Sequence, residues 1–269
     1  MTERSWAEVD PPLLVERYLD RVGLTTAPSA TVDGLEALMR AHLTAVPFEN
    51  LDVYLQRGIA VDAGWSLAKI LDQGRGGWCF ELNGAFSRFL VALGFEVRLL
   101  GAAVLLGGPA RLVDHLTLEV LLEGQPHLVD VGFGDGFARP LPLNVGPDAR
   151  LEGGTGQFGF MPSPEGTTLV RYDEHGHPGP QYRFRRVSLT LDDFNAPSNR
   201  LYGDADGNFR TGPVATRLLE GGPDRVTLTT DRLRITRGRG ADDEAVDPGG
   251  PGWSWRLKRW FGIDASALD

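Results

Sequence analysis

Sulfur chemistry is almost absent from this chain: its 269 residues include a single cysteine, Cys79. One cysteine cannot close an intramolecular disulfide, so a secreted, disulfide-stapled scaffold is excluded. Long hydrophobic runs are also missing, and none approaches the roughly 18–20 residues that cross a bilayer. No membrane partner is therefore expected. The opening "MTERSWAEVDPP" mixes charges of both signs and leads into no apolar core, so it does not read as a secretory leader. Basic residues are scattered and the net charge is −9. That argues against nucleic acid as a partner, because phosphate neutralisation needs grouped Lys and Arg. It leaves room for a small anionic ligand held by a few local arginines. There is no HExxH or CxxC spacing, and His175 and His177 have no third ligand nearby, so no metal site is expected. What remains, at 42% hydrophobic and 23% charged residues, is an ordinary soluble globular chain of one or two domains. The cytoplasm is its simplest compartment.

Helical periodicity dominates the first ninety residues. "DPPLLVERYLDRVGL" places prolines in a first turn and Leu14, Tyr18, Leu19 and Val22 on one face. "DGLEALMRAHLTAVPF" repeats the pattern through Leu35, Leu38, Met39, His42 and Leu43 until Pro47 stops it. A third helix runs from about Phe80 to Gly94. From Phe95 the pattern turns to strands, in "FEVRLLGAAVLL", "HLTLEVLLEG" and "QPHLVDVGFG". Further strands are expected near "TTLVRYD", "QYRFRRVSLT", "DRVTLTT" and "RLRITRG". The stretch "DDFNAPSNRLYGDADGNFRTGP" reads as loop, residues 241–252 as an acidic linker, and "GWSWRLKRWFGI" as a short helix. Helices followed by strands indicate an α+β fold with segregated layers.

The cysteine lies in "RGGWCFELN", Arg75 to Asn83, at the first turn of the third helix. Unpaired N–H groups there favour a thiolate, and Gly76 and Gly77 would let the chain turn sharply and leave space for a substrate beside the sulfur. Free cysteine is also among the most buried residue types, so this placement leaves both an inert and a reactive reading open. A nucleophilic thiol needs a base and a group that orients the base. If Glu123-Gly124 form the centre of a tight hairpin turn, Thr117 lies opposite Asp130 and His115 opposite Gly132. His115 and Asp130 then share a face as diagonal neighbours, roughly 7–8 Å apart at Cα. That is the layout of a Cys-His-Asp triad. In the same register His127 points to the other side and is expected at the surface. His42 is expected to be a satisfied core histidine, and His175 and His177 to be solvated turn residues.

Four segments in order carry a resemblance. "RGGWCFELN" resembles the RGGxCxE(x)N signature of the arylamine N-acetyltransferase family, and "VPFENLDV" its PFEN(L) segment. "DHLTLEV" and "LVDVGFG" resemble its His and Asp strands. The resemblance implies an N-terminal helical bundle (1–94) carrying the nucleophile. A central antiparallel β-barrel-like domain (95–198) would carry His and Asp, and an α/β lid (199–269) would follow. It implies Cys79 as acylated nucleophile, His115 as base and Asp130 as the partner that orients it. The acyl group would come from acetyl-CoA or another acyl-CoA, a co-substrate rather than a tightly bound cofactor, and pass to an aromatic amine or hydrazine. Phe48 and Phe133 would line the acceptor pocket, and Gly134 would lie against the CoA chain. Arg75 and Glu49 are expected to form a structural ion pair.

This chain departs from the pattern in two places. Asp114 stands where many relatives have Thr, and residues 199–213 are acidic and short of hydroxyls. Those departures keep an alternative in view: an amide synthase releasing a chain from an acyl carrier protein as a macrolactam. A hydrolytic enzyme or an inactive binding homologue would share the same scaffold. Arg183, Arg185, Arg186 and Arg210 would either meet donor phosphates or form a solvated face.

Overall fold

The structure, a computed structural model, describes residues 6–106, 113–238 and 240–268. Its first elements follow the apolar spacing of the sequence. α1 (Pro11–Val22) opens on two prolines, whose missing N–H groups cost nothing in a first turn, and buries Leu14, Tyr18, Leu19 and Val22. α2 (Val32–Ala45) is capped by Thr31, whose hydroxyl accepts the Gly34 N–H. A two-residue strand, β1 (Phe48–Glu49), comes next, then α3 (Leu51–Tyr54), α4 (Ala63–Leu71) and α5 (Cys79–Ala92).

Eight strands follow: β2 (Glu96–Val104), β3 (His115–Leu122), β4 (Gln125–Val129), β5 (Leu141–Pro142), β6 (Leu151–Glu152), β7 (Gln157–Ser163), β8 (Gly166–Tyr172) and β9 (Pro178–Leu189). They form one antiparallel sheet in the order β5-β4-β3-β2-β9-β8-β7-β6. The Ala138 N–H donates to the Gly153 carbonyl, which ties the two ends together and leaves the sheet a nearly closed barrel. The β3–β4 hairpin turns on Glu123 (φ 51°) and Gly124 (φ 77°), both left-handed as a type I′ turn requires. Its ladder pairs Leu122 with Gln125 and Leu118 with Val129, the register expected from the sequence. β4 ends at Val129, well short of the expected "QPHLVDVGFG" run, so Asp130 is the first residue of the loop beyond it.

The last part of the chain contains α6 (Asn195–Gly203), α7 (Asn208–Thr211), β10 (Ala215–Leu218), β11 (Arg225–Leu228), β12 (Arg232–Arg237), β13 (Gly240–Ala245) and α8 (Pro251–Phe261). Here the structure corrects two expectations. The stretch read as loop is largely helical, because Pro197 falls in a first turn where it does no harm. Part of the expected acidic linker is a strand, β13. It has no apolar alternation and is held to β12 by charge instead: Arg234 stands opposite Asp243 in the register and donates to it twice at 2.7 Å. β1 joins this second sheet, whose order is β1-β10-β11-β12-β13, so the N-terminal segment supplies the edge strand of a C-terminal sheet.

Arg217 ties the C-terminal layer to the bundle, and Arg21 ties segments of the bundle to one another. Arg217 donates to the carbonyls of Trp260 (2.6 Å) and Thr44 (2.6 Å), and Arg21 to those of Ile70 (3.0 Å), Ala45 (2.9 Å) and Gly74 (3.2 Å). They line a cleft of about 770 Å³ between α1, α2, β10 and α8 that does not contain Cys79.

His42 is the core histidine expected. It is fully buried, shares a 2.8 Å hydrogen bond with the Tyr18 hydroxyl through Nδ1, and packs edge-on to Phe86 at 5.2 Å. Its Nε2, however, has no hydrogen-bond partner among the described residues. Burial, reinforced by Arg21, pulls it from 6.5 down to about 3, so it stays neutral in the fold. The depressed value means its contribution is present above the unfolded value and lost as pH falls from about 6.5 toward 3. The slope is at most about 1.4 kcal/mol per pH unit. His42→Phe is expected to flatten the loss of urea stability between pH 6.5 and 4, whatever its offset at pH 7. An unchanged slope would remove His42 from the acid sensitivity.

Candidate active site

Cys79 is the first residue of α5, and it is 4% exposed. The helix starts there because the Glu81 carboxylate reaches back to accept the Trp78 N–H at 3.1 Å. Glu81 is gripped in turn by Lys69 Nζ at 2.9 and 3.0 Å. Lys69 also reaches Asp52 at 2.7 Å and Glu49 at 3.7 Å. Arg75 donates to Glu49 at 2.7 Å and to Asp52 at 3.1 Å. The expected Arg75–Glu49 pair is therefore part of a buried network of two cations and three carboxylates. Burial pushes the Glu81 carboxyl up and Lys69 works against that rise. Burial also opposes the Lys69 charge, but the three carboxylates prevail and hold the ammonium above its ordinary value.

Gly76 and Gly77 do not leave room for a substrate as expected. A Cβ on Gly76 would meet the Pro47 carbonyl oxygen at 1.8 Å, and one on Gly77 would meet the Glu81 carboxylate at 2.4 Å. The space beside them is filled by protein.

His115 begins β3 and is buried against Asp130, with Nε2 to Oδ2 at 2.6 Å. Cys79 lies close enough to the same ring to help support its charge. Burial alone would strip the imidazole of its charge. The Asp130 carboxylate and its hydrogen bond, aided by Cys79, outweigh that and raise His115 to about 10. Asp130 is pushed up by burial but held below its usual range by His115, Asn83 and the Gly132 N–H.

Asn83 is a functional residue that sequence reasoning left without a role. It lies one turn after Cys79, on the same helix face. Its Nδ2 donates to Asp130 Oδ1 at 2.9 Å and to the Leu116 carbonyl at 2.6 Å, and its Oδ1 accepts the Val131 N–H at 2.9 Å. Cys79 and Asp130 are thus tied through one helix turn. The i, i+4 spacing within "CFELN" was the available signal. Gly132 permits this closeness, since a Cβ there would meet Cys79 Cα at 2.8 Å and Asn83 Nδ2 at 2.7 Å. Tyr182, also unforeseen, packs its ring 5.1 Å from His115 and meets the Thr117 hydroxyl at 3.3 Å.

Phe133 packs edge-on to His115 at 5.3 Å, and Phe48 lies 6.2 Å from Phe209. Gly134 (φ 84°) faces the Phe48 ring and Thr216. Trp78 and Phe80 pack in the aromatic cluster around the thiol and Leu82 in the main core, so the neighbours of Cys79 are packing residues. The segment 199–213 contributes Leu201, Tyr202 and Phe209 to that aromatic cluster.

The remaining expected residues fall elsewhere. Asp114 accepts the Val104 N–H at 2.8 Å and closes the β2–β3 end. Burial pushes its carboxyl up, against that bond and Arg200. His127 is not at the surface: it is 7% exposed, because β4 is covered on both faces. Burial draws its pKa down, against a hydrogen bond to the Gln125 carbonyl. Arg183 pairs with Glu165, Arg185 donates to the Glu165 carbonyl, Arg186 pairs with Glu119, and Arg210 donates to the Tyr202 carbonyl at 3.3 Å. His175 and His177 are exposed beside Glu174 and Asp173. Among the described residues no group of His, Cys, Asp and Glu is disposed to hold a metal, and no helix is long and apolar enough to cross a membrane.

A family model described as N-acetyltransferase matches residues 31–267. The Salmonella typhimurium arylamine N-acetyltransferase / N-hydroxyarylamine O-acetyltransferase is 38% identical over 170 residues. That match covers 62% of this chain and 59% of the relative. The Escherichia coli arylamine N-acetyltransferase is 35% identical over 173 residues, covering 64% and 61%. The matched region thus spans about three-fifths of these curated relatives. In three dimensions the agreement runs further. The solved Salmonella typhimurium arylamine N-acetyltransferase superposes with a TM-score of 0.86 at 30% identity, over 93% of this chain and 91% of that one. The Mycobacterium marinum arylamine N-acetyltransferase in complex with CoA gives 0.86 at 27%, over 95% and 94%. The chain belongs to the arylamine N-acetyltransferase family.

Proposed function

We propose that the chain transfers an acetyl group from acetyl-CoA to the nitrogen of an arylamine or arylhydrazine, in two half-reactions through a Cys79 thioester. The observation that carries this reading is the line Cys79–His115–Asp130 at the start of α5, with His115 held charged up to about pH 10. An imidazolium beside the sulfur stabilises the thiolate that attacks, so the two act as a pair. The M. marinum relative solved with CoA supports the donor, and the names of the relatives support the acceptor.

In the first half-reaction the Cys79 sulfur attacks the thioester carbonyl, and the C–S bond to CoA breaks. His115 returns its proton to the departing CoA thiolate. Backbone N–H groups that open α5 have no acceptor within the helix and are placed to meet the oxyanion. Acylation removes the sulfur's negative charge, which is one of the influences that raise His115. The ring becomes a free base at the moment one is needed. It then takes the proton of the attacking amine as the new C–N bond forms, and Cys79 leaves as thiolate, restoring the pair. Phe48 and Phe133 would stack the aromatic acceptor, and Gly134 would let the pantetheine chain pass close to the backbone. In this reading residues 1–94 bring the nucleophile, 95–198 the base and its partner, and 199–269 the cover.

Intact mass after incubation with acetyl-CoA tests the proposal. One acetyl group is expected on the parent and none on Cys79→Ala, and addition of an arylamine should discharge it as the N-acetyl product. No adduct from acetyl-CoA or other short acyl-CoAs would defeat the reading.

A further inference from the structure

Arg225 takes no part in the chemistry above, yet its surroundings are those of a binding group. It opens β11 and is 6% exposed. Its Nη1 donates to the Thr216 hydroxyl at 3.3 Å and its Nε faces Asp135 Oδ1 at 3.3 Å. Its Nη2, enclosed from solvent, meets no acceptor among the described residues. A buried charged donor left unused is costly. The same Asp135 oxygen also faces Arg171 Nη1 at 3.2 Å, so two guanidiniums share one carboxylate. Asp135 is the most loosely held of the three, with 67% of its side chain exposed. Burial and Arg171 both work against the Arg225 charge, and Asp135 alone supports it.

The register places this group beside the thiol cleft. Directly opposed residues of an antiparallel pair share a face. Phe48 stands opposite Thr216 and Thr216 opposite Thr227, so all three project with Arg225, two residues further along β11. Two strand spacings and two residues set Arg225 roughly 12 Å from Phe48 along that face. From the other side, the loop that begins at Asp130 passes Phe133 at the His115 ring and Gly134 at Phe48, and then reaches Asp135. The span from Phe48 to Arg225 is on the scale of one aromatic ring with a substituent, or a short length of a thioester arm.

We propose that Arg225, together with Arg171, is a recognition site for an anionic oxygen group, carboxylate or phosphate, on a substrate in the cleft. Asp135 keeps the site closed until that group displaces it. A guanidinium fork suits either anion. The two sources are a carboxylate on the arylamine and a phosphate of CoA, and in naming them the inference rests on the acyl-transfer reading.

Calorimetry in the Cys79→Ala background, where no turnover occurs, separates them. The probes are 4-aminobenzoate against aniline, and CoA against pantetheine. Arg225→Gln is expected to weaken the anionic member of one pair at least about tenfold while its uncharged counterpart binds as before. Asp135→Asn is expected to tighten the same anion severalfold, and at an exposed position it keeps the test usable if Arg225→Gln does not fold. A change confined to 4-aminobenzoate assigns the site to the amine, and one confined to CoA assigns it to the donor. Unchanged binding of both anions in either variant overturns the proposal. If these differences appear while Cys79 never takes up acetyl, the anion site stands and the acyl-transfer reading falls.

Discussion

Asp130→Asn is expected to slow acylation of Cys79 by on the order of a thousandfold or more while the protein stays folded. The amide has the carboxylate's shape, and its oxygen can still accept from Asn83 and the Gly132 N–H, which hold that side chain at 2.9 Å each. What it removes is the charge facing His115. Burial is the largest influence on that ring and acts to lower it. Without Asp130 the imidazole loses its main support against burial, so its pKa falls and it holds a proton less readily beside the sulfur. The pH profile should change with it. The parent's acylation rate is expected to be level through neutral pH and to decline as His115 loses its proton near pH 10. The variant's rate should instead climb with pH as the thiol ionises unaided. Rapid-quench acylation between pH 6 and 9 would read both effects. A variant within tenfold of the parent across that range would take Asp130 out of the mechanism.

The second large effect is structural. Lys69→Met is expected to cost about 3–5 kcal/mol of folding stability, as removal of one partner from a buried ion network does. Lys69 is 3% exposed and faces Glu49, Asp52 and Glu81 at once. After the substitution only Arg75 remains to balance the three carboxylates. Glu81, already pushed up by burial, then rises further without the lysine that opposed it. A raised carboxylate contributes stability that is present below the unfolded value and lost as pH rises through the folded one. Lys69→Met should therefore lie closer to the parent in urea at pH 5 than at pH 8. A loss under 1 kcal/mol at pH 8 would mean that the network does not hold the start of α5.

The parts of this site that were legible in the sequence were the local ones. A helix start is written in a few adjacent residues, and "RGGWCFELN" carried it. Register is written in a turn, and Glu123-Gly124 fixed it well enough to bring His115 and Asp130 to one face. The family resemblance, not the pattern, then assigned the roles. What stayed hidden depends on contacts distant in sequence. Asn83 reaches 47 residues along the chain to Asp130, and Arg75 reaches back to Glu49 across 26. Nothing local marks Lys69 as the hub of that network. His127 was misplaced because a two-residue alternation says which face a residue takes but not whether that face is covered. β13 was missed because its pairing is written in charges on the neighbouring strand rather than in its own apolar pattern.

The short strand Phe48–Glu49 has a consequence for the order in which the protein can be made. It bridges the cysteine loop at Gly77 on one side and β10 on the other. Its neighbour Asn50 donates to the carbonyls of Phe209 and Gly212 and accepts the Val214 N–H. None of these partners exists on the ribosome until more than two hundred residues have been synthesised. Until then the wall beside the thiol has backbone and side-chain groups waiting for segments not yet translated. Cys79 is thus made early but its wall is completed late, and a chain stalled before Phe209 would leave Asn50 and the β1 edge without these partners.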